Sequence, residues 1–158
     1  MTNDEFTPPA SNSTIRHSSF VIEVSAALIF RDGKLLITQR QRDAHLGGLW
    51  EFPGGKREPD ETFEQCLVRE IREELGIEVE VGELFEAISH AYADKDVHLK
   101  FFVCKLISGK LQALDCAAFK WVAKAELANF EFPAADARLL EKLRELEFKL
   151  WLAGGKTG

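Results

Sequence analysis

The chain has 158 residues, 46% hydrophobic and 29% charged, which suits one globular domain able to bury a core. Its net charge of −6, with no block of Lys or Arg, argues against a direct nucleic-acid partner, which needs a basic surface to displace counterions. No apolar run is long enough for a signal peptide or a membrane span, so no membrane partner and a cytoplasmic location are expected.

Residues 1–19, rich in Ser, Thr, Asn and Pro, read as a flexible tail ahead of one domain over 20–152. Residues 20–30 are apolar and β-branched and predict a strand, and Asp32-Gly33 turns the chain into a second strand over 34–40. A loop over 41–50 around Gly47-Gly48 leads to the short segment 50–55. Residues 62–75 predict a helix, with Thr62 and Gln65 placed for a capping box and Gly76 for a C-cap. Strand character returns over 77–81, 84–92, 97–107 and 119–122, with a turn at Ser108-Gly109-Lys110. Cys66, Cys104 and Cys116 lack CxxC spacing and read as reduced, mostly buried thiols. Leu139, Leu140, Leu143, Leu146 and Leu150 recur at helical spacing and predict one helix over 134–152. Residues 153–158 close the chain as a Gly-rich tail. Mixed strands with one central and one terminal helix place the domain in the α/β (α+β) class, as an α/β/α layered arrangement.

The central helix carries the chemistry. At about 100° per residue, Phe63, Leu67, Ile71 and Leu75 share one apolar arc, and Glu70, Glu73 and Glu74 cluster on its edge. Clustered carboxylates repel unless something positive sits among them. Divalent metal is one partner, and all-oxygen ligands favour Mg²⁺ or Mn²⁺ over zinc. A solvated acidic face, paired by Arg69 and Arg72, is the alternative. Just upstream, Pro53-Gly54-Gly55-Lys56 offers backbone that a ligand can approach closely and a cation for phosphate oxygens.

Residues 55–77 resemble the Nudix box, G-x5-E-x7-R-E-U-x-E-E-x-G-U with U aliphatic, without a gap. Gly55, Glu61, Arg69, Glu70, Ile71, Glu73, Glu74, Gly76 and Ile77 fill its fixed positions. The flanks Ile37-Thr38-Gln39-Arg40, Asp43-Ala44-His45, Glu51-Phe52-Pro53-Gly54-Gly55-Lys56 and Phe132-Pro133-Ala134-Ala135-Asp136 resemble the MutT branch. The resemblance implies a Nudix α/β/α sandwich with a mixed β-sheet, and metal-dependent cleavage of a nucleoside triphosphate to monophosphate and pyrophosphate.

By that resemblance, Glu70, Glu73 and Glu74 would hold metal and share the catalytic work, with the carbonyl of Gly54 or Gly55. Arg69 would brace the helix and Glu61. An acidic residue from a later loop matches Asp115, and an exposed loop aspartate is its plain alternative. Arg40 would grip phosphate, its alternative being a pairing with the acidic helix alone, while Lys56, Glu51, Phe52 and His45 stand where substrate contacts are expected. For Phe52 the alternative is a core ring, and for His45 an exposed loop side chain. Asp136 matches a base-recognising position; an ionised Asp accepts hydrogen bonds from guanine N1–H and amine or from cytosine amine. Its alternative is a helix N-terminal residue favoured by the dipole.

The leading expectation is therefore hydrolysis of 8-oxo-dGTP in cleansing the nucleotide pool, with CTP, dCTP or 5-modified dCTP as the alternative. A reading of another class is a non-catalytic nucleotide- or lesion-binding Nudix module, against which the intact Glu70-Glu73-Glu74 cluster stands. A monomer or a homodimer is equally compatible with the sequence.

Overall fold

Strand β1 (Val21–Arg31) alternates its side chains between two cores, and this alternation sets the layers of the molecule. Ala26 and Leu28 belong to one apolar cluster, and Ala27 and Ile29 to the other. The structure, a computed structural model, describes residues 20–154, so the expected tail over 1–19 and residues 155–158 lie outside the described residues.

The turn at Asp32-Gly33, where both residues have positive φ, returns the chain into β2 (Lys34–Gln39). Next come β3 (Trp50–Glu51), β4 (Gly54–Lys56), α1 (Phe63–Leu75), β5 (Ile77–Ala91), β6 (Asp96–Gly109) and β7 (Ala118–Ala123). The main path of the sheet runs β3-β2-β1-β6-β5, with β4 on β1 and β7 on β2. The β1–β6 pair is parallel and the others are antiparallel, so the sheet is mixed as expected. Helix α1 covers one face with Leu67, Ile71 and Leu75 fully buried. On the other face lie α2 (Ala137–Glu145) and α3 (Phe148–Leu152), through Leu139, Leu143 and Trp151.

Two expectations about elements are corrected. The segments 77–81 and 84–92 are one strand, interrupted only by a bulge: Val81 faces Cys104 and Leu84 faces Phe102, leaving Gly82 and Glu83 opposite one residue. The single helix expected over 134–152 is instead a 3₁₀ turn (Ala134–Asp136), α2 and α3, broken at Leu146 with φ −65 and ψ 138. The break lets Trp151 fold back into the core. Its indole N–H donates to the Leu143 carbonyl at 3.1 Å, its ring meets Phe30 edge-on, and the Lys124 ammonium caps the freed Leu146 carbonyl. No Gly or Pro marks the bend, so leucine spacing alone reads through it.

Among the described residues no helix is long and apolar enough to cross a membrane.

Candidate active site

Helix α1 starts and stops where its caps dictate. Thr62 accepts from the Gln65 backbone N–H at 3.0 Å, Gln65 returns the bond to Thr62 N–H at 2.9 Å, and Gly76 closes the helix at φ 70. This registers Glu70 and Glu74 toward β4. Gly55 leaves room for Glu70, while Gly54 lets β4 lie tight on β1: a β-carbon on Gly54 would stand 2.8 Å from Ala26 Cα and closer to the Ser25 carbonyl. The Gly54 N–H reaches Glu74 Oε1 at 3.2 Å.

A cavity of about 500 Å³ opens between this helix face, the end of β2 and the β3–β4 segment. Its acidic wall gathers Glu51, Glu70, Glu74, Asp115 and Asp136, and Arg40 and Lys56 are its cations. Phe52 and Gly54 also line it, so most expected site residues converge. The Phe52 ring, 4% exposed, stacks on Phe132 and meets Phe101 edge-on, which makes it a core ring with one edge on the cavity. Asp115 reaches the rim through its loop, whose backbone N–H groups at Leu114 and Asp115 bond the Glu74 carbonyl at 3.0 and 3.2 Å.

His45 and Glu73 do not line the cavity. His45 is exposed and serves through its backbone, its carbonyl accepting from Arg40 Nε at 2.6 Å. The Glu73 side chain is 60% exposed, turned toward Arg69 Nη1 at 3.3 Å. Arg69 is the hub of this corner. It grips both oxygens of Glu61 at 3.0 and 2.7 Å, Glu70 Oε2 at 2.9 Å and the Lys56 carbonyl at 3.1 Å. Its guanidinium holds the Glu61 carboxyl down to about 2, so the bracing role expected for Arg69 is the one observed.

The electrostatics concentrate negative charge. Burial first, then Glu51, Glu70 and Asp115, push the Glu74 carboxyl up to about 8. Burial also raises Glu51 and Glu70, with Arg40 and Arg69 opposing the rise. Asp136, 5% exposed, is pushed up to about 7 by burial and by Glu51. It stands at the N-cap of α2 yet makes no side-chain cap hydrogen bond, so capping does not explain its burial.

Among the described residues no three His, Cys, Asp or Glu groups form a ready-made metal cage. Of the expected set, Gly54, Glu70, Glu74 and Asp115 line the one cavity and Glu73 does not. Glu70 and Glu73 pair with Arg69, and Glu74 accepts from the Gly54 N–H. The donor set fits a hard divalent ion: it is all oxygen, and the deeply placed Glu74 carboxylate faces Glu51, Glu70 and Asp115.

Sequence reading missed the apolar floor. Val24 and Ala26 of β1 and Leu99 and Phe101 of β6 line the cavity because the parallel register sets Val24 beside Leu99 and Ala26 beside Phe101. The two-residue alternation of β1 was visible, but its pairing with β6 was not. Cys116, read only as a buried thiol, also lines the wall at 5% exposure.

Comparison with known proteins agrees with this geometry. The family model described as "NUDIX domain" matches residues 25–142. A CTP pyrophosphohydrolase of Escherichia coli (strain K12) is 44% identical over 126 residues, covering 80% of this chain and 93% of that protein. An 8-oxo-dGTP diphosphatase of the same organism is 32% identical over 126 residues, covering 79% and 98%. The solution structure of the E. coli ORF135 protein is 44% identical and superposes with a TM-score of 0.67 over 77% of this chain and 87% of that one. With the box residues spaced as they are and Glu70 and Glu74 facing one cavity, the chain belongs to the Nudix family and is a Nudix hydrolase.

Proposed function

We propose that this enzyme is a Mg²⁺-dependent nucleoside triphosphate pyrophosphohydrolase acting on cytosine nucleotides, CTP or dCTP and their 5-modified forms. Nudix hydrolases generally use divalent metal and act on nucleotide substrates. The observation that carries the base assignment is Asp136, a buried carboxyl on the cavity wall, free of capping duty. It offers an acceptor to the cytosine exocyclic amine, and with its proton retained it also offers a donor to N3. The 44% identity to a CTP pyrophosphohydrolase supports the same choice.

The chain's own residues divide the work by position. Arg40 is fixed at the end of β2 by the His45 carbonyl and Glu51 Oε1, and its remaining donors are available to phosphate. Lys56 stands on the exposed rim beside them. Glu70 and Glu74, with Glu73 after it rotates off Arg69 and Asp115 from its loop, would hold the metal. A divalent ion held by these residues would supply charge neutralisation for the phosphates and a Lewis acid for attack by water. Val24, Leu99 and Phe101 keep the nucleoside end dry.

A second reading keeps the chemistry and changes the base. Oxidised guanine, 8-oxo-dGTP, is favoured by the MutT-like flanks and by the 32% identity to an 8-oxo-dGTP diphosphatase. An ionised Asp136 accepts from guanine N1–H and amine. A pyrophosphate-release screen with Mg²⁺ over CTP, dCTP, 5-methyl-dCTP, 8-oxo-dGTP, dGTP and ADP-ribose tests both. A kcat/KM highest for cytosine nucleotides supports the proposal, and one highest for 8-oxo-dGTP replaces it with the second reading. Nucleotide binding with no turnover, and no change on Glu74→Gln, would return the chain to the class of non-catalytic binding modules.

A further inference from the structure

The floor of the cavity continues past the residues that line it. Register on both sides of β6 builds transverse rows on the sheet face away from α1. One row is Val24, Leu99 and Ile88, and the next outward is Ile22, Val97 and His90. Directly paired residues project to the same side, and residues two apart along a strand share a face. His90 therefore lies on the floor's own face, about 7 Å along β5 from Ile88. Ser89 and His98, which meet at 3.3 Å, project from the opposite face.

The inner and outer ends of this face differ in what covers them. Toward Phe101 the row ends at Glu86, which is held under α2 by Arg138 at 3.0 Å and by Lys142. Two rows outward, His90 is half-buried, and its ring packs on Tyr92 at 4.5 Å between centroids and 58° between planes. Lys95 lies over the other ring of the pair, 5.8 Å from the Tyr92 centroid. Packing on Tyr92 holds the imidazole at the outer edge of an apolar strip whose inner residues Val24, Leu99 and Phe101 line the same cavity as Asp136. An apolar floor bounded by a braced aromatic ring is the usual support for a planar base.

We propose that His90 is a specificity-determining residue, its imidazole forming the outer wall of the base end of the cavity and contacting the nucleobase of the bound substrate. This rests on the reading of the cavity as a nucleotide site with its base toward Asp136. The ligand class is a heteroaromatic base whose far edge, or a substituent on that edge, extends beyond Leu99.

The test is equilibrium binding to wild type, His90→Ala and His90→Phe, using CMP, dGMP and 8-oxo-dGMP, with Mg²⁺-pyrophosphate as the ligand that has no base. His90→Ala is expected to weaken the preferred nucleoside monophosphate roughly 5- to 20-fold, the lower part of the range of one base–aromatic contact, and to leave pyrophosphate unchanged. His90→Phe is expected to restore binding to within about twofold of wild type, since the ring face is kept. In turnover, His90→Ala raises KM for the nucleoside triphosphate and leaves kcat nearly unaltered. Unchanged nucleotide binding in His90→Ala overturns the proposal, as does equal loss of nucleotide and pyrophosphate. A wild-type preference for 8-oxo-dGMP over CMP sinks the cytosine assignment alone, because the effect of His90 is read on whichever base binds best. Failure of every nucleotide to bind better than pyrophosphate overturns both.

Discussion

Gly55 and Glu70 are in such close register that no side chain fits between them. A β-carbon built on Gly55 would stand 2.8 Å from Glu70 Cγ and overlap its carboxylate. The second glycine before the helix thus sets how deeply Glu70 lies against β4. Gly55→Ala is expected to push Glu70 off this position and lower kcat by at least tenfold, since small displacements in a metal-holding set are costly. The fold should persist, because the clash is with a partly exposed side chain and not with backbone. Steady-state kinetics beside circular dichroism checks this; wild-type kcat in a folded Gly55→Ala protein would remove Gly55 from the argument.

Arg69 ties four groups that otherwise repel or stand unsatisfied: Glu61, Glu70, Glu73 and the Lys56 carbonyl. Lysine carries the charge without the planar fork, so it cannot serve Glu61 bidentately and Glu70 together. Arg69→Lys is expected to lower the thermal midpoint by a few degrees and to lower kcat, with KM changed less. Equal stability and activity in Arg69→Lys would mean that charge alone suffices, and that the geometry of the hub is dispensable.

Local features were the legible ones. The capping box at Thr62, the stop at Gly76 and the edge position of Glu70 and Glu74 follow from spacing within a single helix, and each is present. Residues whose role depends on distant pairing were not legible. Leu99 and Phe101 reach the cavity only because β6 runs parallel to β1, which no local pattern states. The bend at Leu146 hides in a regular leucine spacing because its cause is tertiary, the burial of Trp151. Spacing puts Glu73 on the same helix edge as Glu70 and Glu74, whereas its side chain is exposed and paired with Arg69, outside the cavity.

Metal should stabilise the folded chain, because a cation among Glu70, Glu74 and Asp115 offsets the burial, and after it the repulsion, that raise Glu74 to about 8. Saturating Mg²⁺ at about a hundred times its Kd contributes about 2.7 kcal/mol. That corresponds to a rise of several degrees in the thermal midpoint of a domain this size. The rise is expected to vanish with a chelator and to be largely absent in Glu74→Gln. Differential scanning fluorimetry reads both, and a full Mg²⁺ shift in Glu74→Gln would exclude Glu74 as a ligand.

Asp136 ties stability to pH in a direction opposite to that of a surface aspartate. Its carboxyl is raised from 3.8 to about 7 in the folded chain by burial and by Glu51. Between those values the folded state keeps a proton that the unfolded state has released. Stability from this group is therefore complete below about pH 4, falls as pH rises, and is lost once pH passes the folded value of about 7. Asn cannot ionise, so Asp136→Asn removes this slope and leaves contributions from the other groups to cancel in the difference. In metal-free buffer the stability of Asp136→Asn relative to wild type is expected to improve by roughly 2–3 kcal/mol between pH 5 and pH 8. Urea unfolding of both proteins at the two pH values measures it. Parallel pH dependences for the two would show that Asp136 is already ionised in the folded chain. The neutral-edge contact to cytosine N3 would then fail, leaving the amine contact that either protonation state allows.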